Sequence, residues 1–376
     1  MRVLVIGNDR RLFDHGSENF DRIKKYATLF EELHIVIFTP SGFKPHDIEG
    51  RLFLWPTNSL SSVLWIWDAF FVSLKIIKKR KIDIIDSQDA GFSGLVAYVL
   101  SRYTGTLFRL QIHTDILSPY FRSASWKEWL HHALSRLLIP RANCIRVVSE
   151  RIKKSLVTRY PLRAMGFSVL PIFTDNSKFF SAIPDSEVEE YLKDYDFKMV
   201  AVGRFVDKEK NFSMLIGVMR DFVKICPKAV LVLVGDGPDR ASYQFLVASY
   251  GLEKNVTIEG WKDDLASFYK SFDLFVLSSN YEGWGRVVIE AMASGLPVVM
   301  TDVGLAGEVL KGGENGLVVP VADASALLGA IEKIYHDPQK RLEFALAGQE
   351  TVMNLKPQTE EEYLILYKKF LSSCIL

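Results

Sequence analysis

Two carboxylates, Glu282 and Glu290, stand with seven residues between them in the stretch "SSNYEGWGRVVIEAMASGLPVV". The rest of that stretch is almost entirely small, apolar or glycine. An acid placed in an apolar helix is costly unless something pairs with it. A carboxylate can accept two hydrogen bonds, and neighbouring hydroxyls of a ribose or hexose can donate two. The surrounding pattern is a strand ending near Ser279, a loop "NYEGWG", a helix "RVVIEAMAS" and a C-capping Gly295. Gly283 and Gly285 let a ligand approach the backbone. The amides from Trp284 through Arg286 to Val287 open the helix, where its dipole favours a phosphate. Glu290, inside the helix, suits a ribose; Glu282, in the loop, suits a more distant sugar. The plain alternative is a solvated Glu290 and an ordinary turn at Glu282.

The stretch "YEGWGRVVIEAMASGLPVV" closely resembles the signature of the family 4 retaining glycosyltransferases, whose GT-B fold has two Rossmann-like domains. The order of elements resembles that family over nearly the whole chain. The resemblance implies that Glu290 binds the nucleotide ribose and Glu282 contacts the donor sugar. It further implies that Arg204 and Lys210, in "VGRFVDKEKNF", stabilise the departing nucleoside diphosphate. Cations fixed where charge develops are a large catalytic term, and an arginine can bind phosphate oxygens in pairs. Gly235 and Asp236 of "VGDGPDR" are expected near the nucleotide, and Trp261 and Lys262 of "IEGWKDD" near the base. Trp261 as a core residue is the alternative.

In the first half, "LQIHTD" ends a strand at His113, where the family has a histidine beside donor sugar and acceptor. Gly16, in "DHGSENF", is expected to bring its backbone near the phosphate, although His15 replaces a glycine often seen there. The resemblance implies attack and departure on the same face, which needs no protein nucleophile, because the leaving phosphate can take the acceptor's proton. Asp194 and Asp196 form a D-x-D, a metal-binding pattern elsewhere, but it precedes a strand and reads as solvated. No metal and no cofactor beyond the nucleotide sugar are expected, with a uridine donor favoured over a guanosine one. A sugar-nucleotide 2-epimerase, a dinucleotide-dependent oxidoreductase and a non-catalytic nucleotide-sugar binder are the competing readings. "VGDGPDR" is a poor dinucleotide fingerprint.

These residues must be positioned by two α/β domains. The apolar runs "RVLVIG", "HIVIFT", "IDIIDS", "LFRLQIH" and "CIRVVS", then "KMVAVG", "AVLVLVG", "NVTIEG", "LFVLSS" and "PVVMT", lack polar alternation. They read as parallel strands covered on both faces and separated by helices. The fold class is therefore α/β, with two doubly wound parallel sheets facing a central cleft. The expected domains are 1–175, for the acceptor, with a helix from 357–376 packing back on it, and 176–356, for the nucleotide sugar. The linker is placed at 174–196. The three cysteines share no disulfide or metal spacing and suggest a reducing compartment.

The net charge of +1 conceals an asymmetry. Residues 1–180 hold 26 Lys+Arg against 16 Asp+Glu; residues 181–376 hold 20 against 29. No long uncharged apolar run and no signal peptide is evident, so a cytoplasmic protein is expected. "WKEWLHHALSRLL" places Trp126, Trp129, Leu130, Ala133, Leu134, Leu137 and Leu138 on one helical stripe. "LWIWDAFFVSLKIIKKRK" is aromatic and then basic. Such helices either cover the first sheet or lie on an anionic membrane. The expectation is peripheral attachment to the inner face of the cell membrane, with a saccharide or lipid-linked acceptor of surface polysaccharide assembly. No nucleic-acid partner is expected.

Overall fold

A computed structural model describes residues 1–160, 166–262 and 264–374. The chain divides into unit 1, residues 1–172 and 360–376, and unit 2, residues 173–359. The division falls three residues before the expected boundary, and the chain rejoins unit 1 at Glu360.

Unit 1 is built on an eight-stranded sheet in the order β3-β4-β2-β1-β5-β6-β7-β8. Its strands are β1 (Arg2–Gly7), β2 (Glu32–Ile37), β3 (His46–Ile48), β4 (Leu52–Pro56), β5 (Ile84–Ser87), β6 (Leu107–Ile112), β7 (Cys144–Val147) and β8 (Gly166–Val169). All pairings are parallel except the hairpin of β3 with β4. The helices are α1 (Glu18–Ala27), α2 (Trp65–Lys79), α3 (Phe92–Thr104), α4 (Pro119–Ala124), α5 (Trp126–Leu138) and α6 (Glu150–Arg159). Val3 to Ile6 and Ile84 to Ser87 are buried throughout, as parallel strands covered by helices must be.

Unit 2 has a six-stranded parallel sheet, β11-β10-β9-β12-β13-β14. Its strands are β9 (Phe197–Val202), β10 (Ala229–Val234), β11 (Val256–Glu259), β12 (Leu274–Leu277), β13 (Val298–Thr301) and β14 (Leu317–Val319). The helices are α7 (Ser177–Ser181), α8 (Ser186–Leu192), α9 (Asp207–Lys210), α10 (Phe212–Phe222), α11 (Arg240–Ser249), α12 (Leu265–Tyr269), α13 (Arg286–Ala293), α14 (Ala324–His336) and α15 (Pro338–Met353). Phe197, Phe212, Phe222 and Phe344 fill its core. The stretch expected as a linker instead forms α7 and α8: Asp185 caps α8, and Phe179 and Leu192 bury themselves in unit 2.

The last helix, α16 (Glu360–Ser372), belongs to unit 1. Tyr363 and Tyr367 are buried against Arg109 and Arg146 of β6 and β7. Cys144 on β7 is disulfide-bonded to Cys374 just beyond α16, with Cα atoms 5.8 Å apart. Spacing along the sequence could not show this pairing, because 230 positions separate the two. It removes the cysteine argument for a reducing compartment; only Cys226 is free, and it is buried. Among the described residues no helix is long and apolar enough to cross a membrane.

Candidate nucleotide-sugar site

In unit 2 the loops that leave the carboxyl ends of β9, β10 and β12 meet, as expected for ligands of open α/β sheets. After β9 the chain turns at Gly203 and forms α9. The aliphatic stem of Lys210 lies so close to Gly203 that an added Cβ there would sit 3.1 Å from Lys210 Cε. Ser278 Oγ donates to the Lys210 carbonyl at 2.8 Å, and the Asn280 N–H donates to the Glu209 carbonyl at 2.8 Å. The loop after β12 thus anchors α9 through side-chain and backbone bonds.

The Lys210 ammonium is buried and donates to Glu282 Oε1. It also pairs with Glu209 Oε1 at 3.2 Å. Burial alone would lower the Lys210 pKa, but the Glu282 and Glu209 carboxylates outweigh it and raise it. The lysine therefore remains a cation. Ser279 Oγ donates to the same Glu282 oxygen at 2.9 Å. Arg204 is exposed, and its Nη2 donates to Glu209 Oε2 at 2.7 Å. Arg204, Lys210 and Glu282 are thus one network, joined by Glu209. Sequence reasoning missed Glu209 because an acid between two lysines looks like a solvated charge. Its neighbour Lys210 was the available signal.

Gly285 takes φ +93° at the N-cap of α13, a conformation that favours glycine. The Val288 N–H goes to the Gly285 carbonyl, while Arg286 and Val287 open the helix with N–H groups that have no partner within it. Glu290 is buried on α13, with Arg286 Nη2 3.5 Å from its Oε1. Tyr269 lies beside it. Burial, and then the Glu290 charge, raises that phenol. Gly283 and Trp284 are buried, so the Trp284 ring is packed inside the unit.

Gly235 and Asp236 pack directly on the loop after β9. The Phe205 N–H donates to the Asp236 carbonyl at 2.8 Å, and a Cβ on Gly235 would fall 1.9 Å from the Gly203 carbonyl oxygen. Arg240, another residue not singled out from the sequence, donates to the carbonyls of Gly235, Ile258 and Glu259 and ties this loop to β11. Trp261 is 66% exposed, so its ring is open and not core. Lys262 pairs with Glu259 at 3.3 Å, and both line a cavity of about 180 Å³ floored by Phe268 and Phe272. Asp194 and Asp196 are exposed at the amino end of β9, opposite to the strand ends that carry these loops.

The remaining expected residues lie in unit 1. His113 follows β6; its Nδ1 is buried without a hydrogen-bond partner among the described residues. Burial, with Arg146 and Arg109 nearby, lowers its pKa to about 3, so the imidazole is neutral. Gly16 is exposed, and its N–H already donates to Asp14 Oδ1 at 3.2 Å. His15 stacks on Phe20 at 4.4 Å, and its Nε2 lies 2.7 Å from His46 Nδ1.

The family model for glycosyl transferases group 1 matches residues 182–351, and that for Glycosyltransferase Family 4 matches residues 30–178. The lipopolysaccharide core biosynthesis glycosyltransferase LpsE of Rhizobium meliloti is 37% identical over 41% of this chain and 44% of its own length, so the match spans under half of that relative. The putative glycosyltransferase EpsD of Bacillus subtilis is 24% identical over 79% of both chains. The Escherichia coli UDP-Gal:alpha-D-GlcNAc-diphosphoundecaprenol alpha-1,3-galactosyltransferase is 25% identical over 70% of this chain and 69% of its own. Among solved structures, sucrose-phosphate synthase from Thermosynechococcus elongatus superposes with TM-score 0.76 and 22% identity, over 99% of this chain and 100% of that one. Anabaena HepE in complex with UDP superposes with TM-score 0.73 and 18% identity, over 99% of each.

Proposed function

The chain belongs to the group 1, family 4 glycosyltransferases, and from that premise we propose that it moves a hexose-type sugar from a nucleoside diphosphate sugar to a saccharide or lipid-linked acceptor, with retention at the anomeric carbon. The observation that carries this reading is the Lys210–Glu282–Glu209–Arg204 network beside the start of α13, with Glu290 buried on the same helix. In this reading the ribose diol donates to Glu290, and the α13 amides receive the diphosphate. As the glycosidic C–O bond breaks, charge grows on the leaving diphosphate, and Lys210 and Arg204 offset it. The acceptor oxygen bonds to the anomeric carbon from the same face, and its proton passes to the leaving phosphate oxygen. Glu282 holds Lys210 in place and offers its carboxylate to the donor sugar. His113, as a neutral imidazole, offers hydrogen bonds to sugar hydroxyls without competing as a charge. Fixed cations fill the place a divalent metal would take.

A uridine donor is favoured by the names of relatives: the Escherichia coli transferase uses UDP-Gal, and HepE has been solved with UDP and UDP-glucose. The polysaccharide relatives, including the Staphylococcus aureus capsular glycosyltransferase CapM, favour a role in surface glycan assembly. Lipid linkage and attachment to an anionic membrane gain support from unit 1. Trp126 and Trp129 on α5 are 69% and 58% exposed, and Trp67 on α2 is 63% exposed. Their outward apolar faces adjoin Lys75, Lys78, Lys79, Lys127 and Arg136. Calorimetric titration with UDP, GDP and their sugars tests the donor. Binding of GDP in preference to UDP overturns the uridine assignment, and binding of none overturns the transferase reading.

A further inference from the structure

Unit 1 holds an acid–imidazole pair that no step above uses. Asp89 lies two residues beyond β5, and His113 one residue beyond β6. Ser87 is in register with Leu110, so both residues leave the carboxyl ends of these neighbouring strands. From α5, His131 sends its Nε2 to within 3.2 Å of Asp89 Oδ1. The same oxygen accepts the Gly91 N–H at 2.7 Å. A Cβ on Gly91 would fall 1.7 Å from His131 Nε2, so the glycine is what seats the imidazole. Phe121 of α4 lies beside the ring at 6.2 Å.

We propose that Asp89 and His131 form a recognition site for hydroxyl groups of a neutral saccharide, which rests on the reading of unit 1 as the acceptor domain. Neither side chain is sealed: Asp89 is 26% and His131 34% exposed. With Nε2 turned to the carboxylate, Nδ1 makes no hydrogen bond among the described residues and is left for a hydroxyl, which can donate or accept. Burial would raise the Asp89 pKa, but His131, Ser93 and the Gly91 amide outweigh it and hold the carboxyl low, so it stays an anion. A carboxylate beside an imidazole suits neighbouring hydroxyls, which donate to the one and can donate to or accept from the other. It repels a phosphate. The saccharide part of an acceptor, and not its diphosphate, is therefore the group received here. Asp89 draws the His113 pKa up and Arg22 of α1 pushes it down, both by less than burial does. Arg22 Nη2 donates to Asn19 Oδ1 at 3.0 Å, and Asn19 Nδ2 donates in turn to Asp9 Oδ2 at 2.7 Å.

The test uses full-length protein labelled with ¹⁵N-histidine, the His131 signals being assigned from a His131→Gln variant. Methyl glycosides of glucose, galactose, mannose and N-acetylglucosamine are titrated, and separately inorganic phosphate. At least one glycoside should shift the His131 signals saturably, and Asp89→Asn should weaken that binding about tenfold. Phosphate should leave the signals in place. His131→Gln, followed by calorimetry, gives the same loss should Asp89→Asn not fold. UDP affinity, measured in parallel, should change less than about twofold in both variants. The inference is overturned if no glycoside moves the His131 signals, if phosphate moves them instead, or if neither variant weakens glycoside binding. Failure on glycosides with UDP binding intact sinks this site alone; loss of UDP binding in the unmodified protein sinks the donor reading.

Discussion

Lys210 cannot shed its proton near neutral pH while Glu209 and Glu282 flank it, so its charge is a constant of the site. Lys210→Met should lower turnover by roughly 10²–10³, as loss of one preorganised electrostatic group does. Arg204 is exposed and more tolerant of replacement by lysine. Both effects are read from single-turnover kinetics, with activity in excess chelator showing whether a metal shares the role. Glu290→Ala should weaken UDP binding more than Glu282→Ala does, and calorimetry separates the two. His113 behaves differently. Its folded pKa is depressed, so the unfolded chain binds the proton more readily, and stability falls as pH drops from about 6.5 toward about 3. His113→Gln should flatten the decline of melting temperature between pH 7 and 4.5; an unchanged slope would show that this imidazole does not titrate as described. The legible residues share a local pattern: Glu282 and Glu290 lie within one loop and helix, and Arg204 and Lys210 within one turn. Asp89 and His131 are 42 positions apart, and only the packing of α5 on α3 brings them together.

At the scale of elements, α5 and α2 each keep large apolar side chains on the outside. The face of α5 that packs inward carries Ser135 and His131 beside Leu138, while Trp126, Trp129 and Leu137 look outward. On α2, Ala69, Ser73 and Ile76 are buried, and Val63, Leu64, Trp67 and Phe71 at or before its start or along it are exposed. The apolar stripe was legible from helical spacing, but spacing is silent on which face meets the sheet. Replacing Trp126 and Trp129 with serine should leave the melting temperature within about 2 °C, since both are exposed. It should reduce sedimentation with anionic liposomes at low salt. Neutralising Lys78 and Lys79 should weaken binding further, by about 1 kcal/mol each. Retained binding in the tryptophan variant would remove α5 from the docking face. The buried strands were mostly legible as unbroken Val, Ile and Leu runs. β3 and β14, with three residues each, offered too short a run, β4 ends on Trp55 and Pro56, β8 is broken by Gly166 and Ser168, and the acidic stretch before β9 hid two helices behind a polar composition.

Across the whole molecule, the basic and acidic halves coincide closely with units 1 and 2. The two passages of chain between the units share one anchor. Arg146 donates to the carbonyls of Leu170 and Pro171, where the chain leaves unit 1, and to the Tyr363 hydroxyl, where it has returned. It also holds Gln111 at 2.8 Å. Arg146→Leu would strand all four acceptors and should destabilise unit 1 by about 3 kcal/mol, against about 1 kcal/mol for Tyr363→Phe, in urea unfolding. Equal effects would show that the arginine matters only through the tyrosine. Cys144, two residues earlier on the same face of β7, adds a covalent tie to the end of the chain. Connectivity then has a consequence for cutting. A protease nick anywhere from 173 to 176 opens the polypeptide once, yet the amino-terminal fragment and the fragment bearing all of unit 2 stay one covalent species through Cys144 and Cys374. On a gel they should migrate together without reductant and part only when thiol is added, which makes Cys374, just beyond α16, a second covalent route through the molecule.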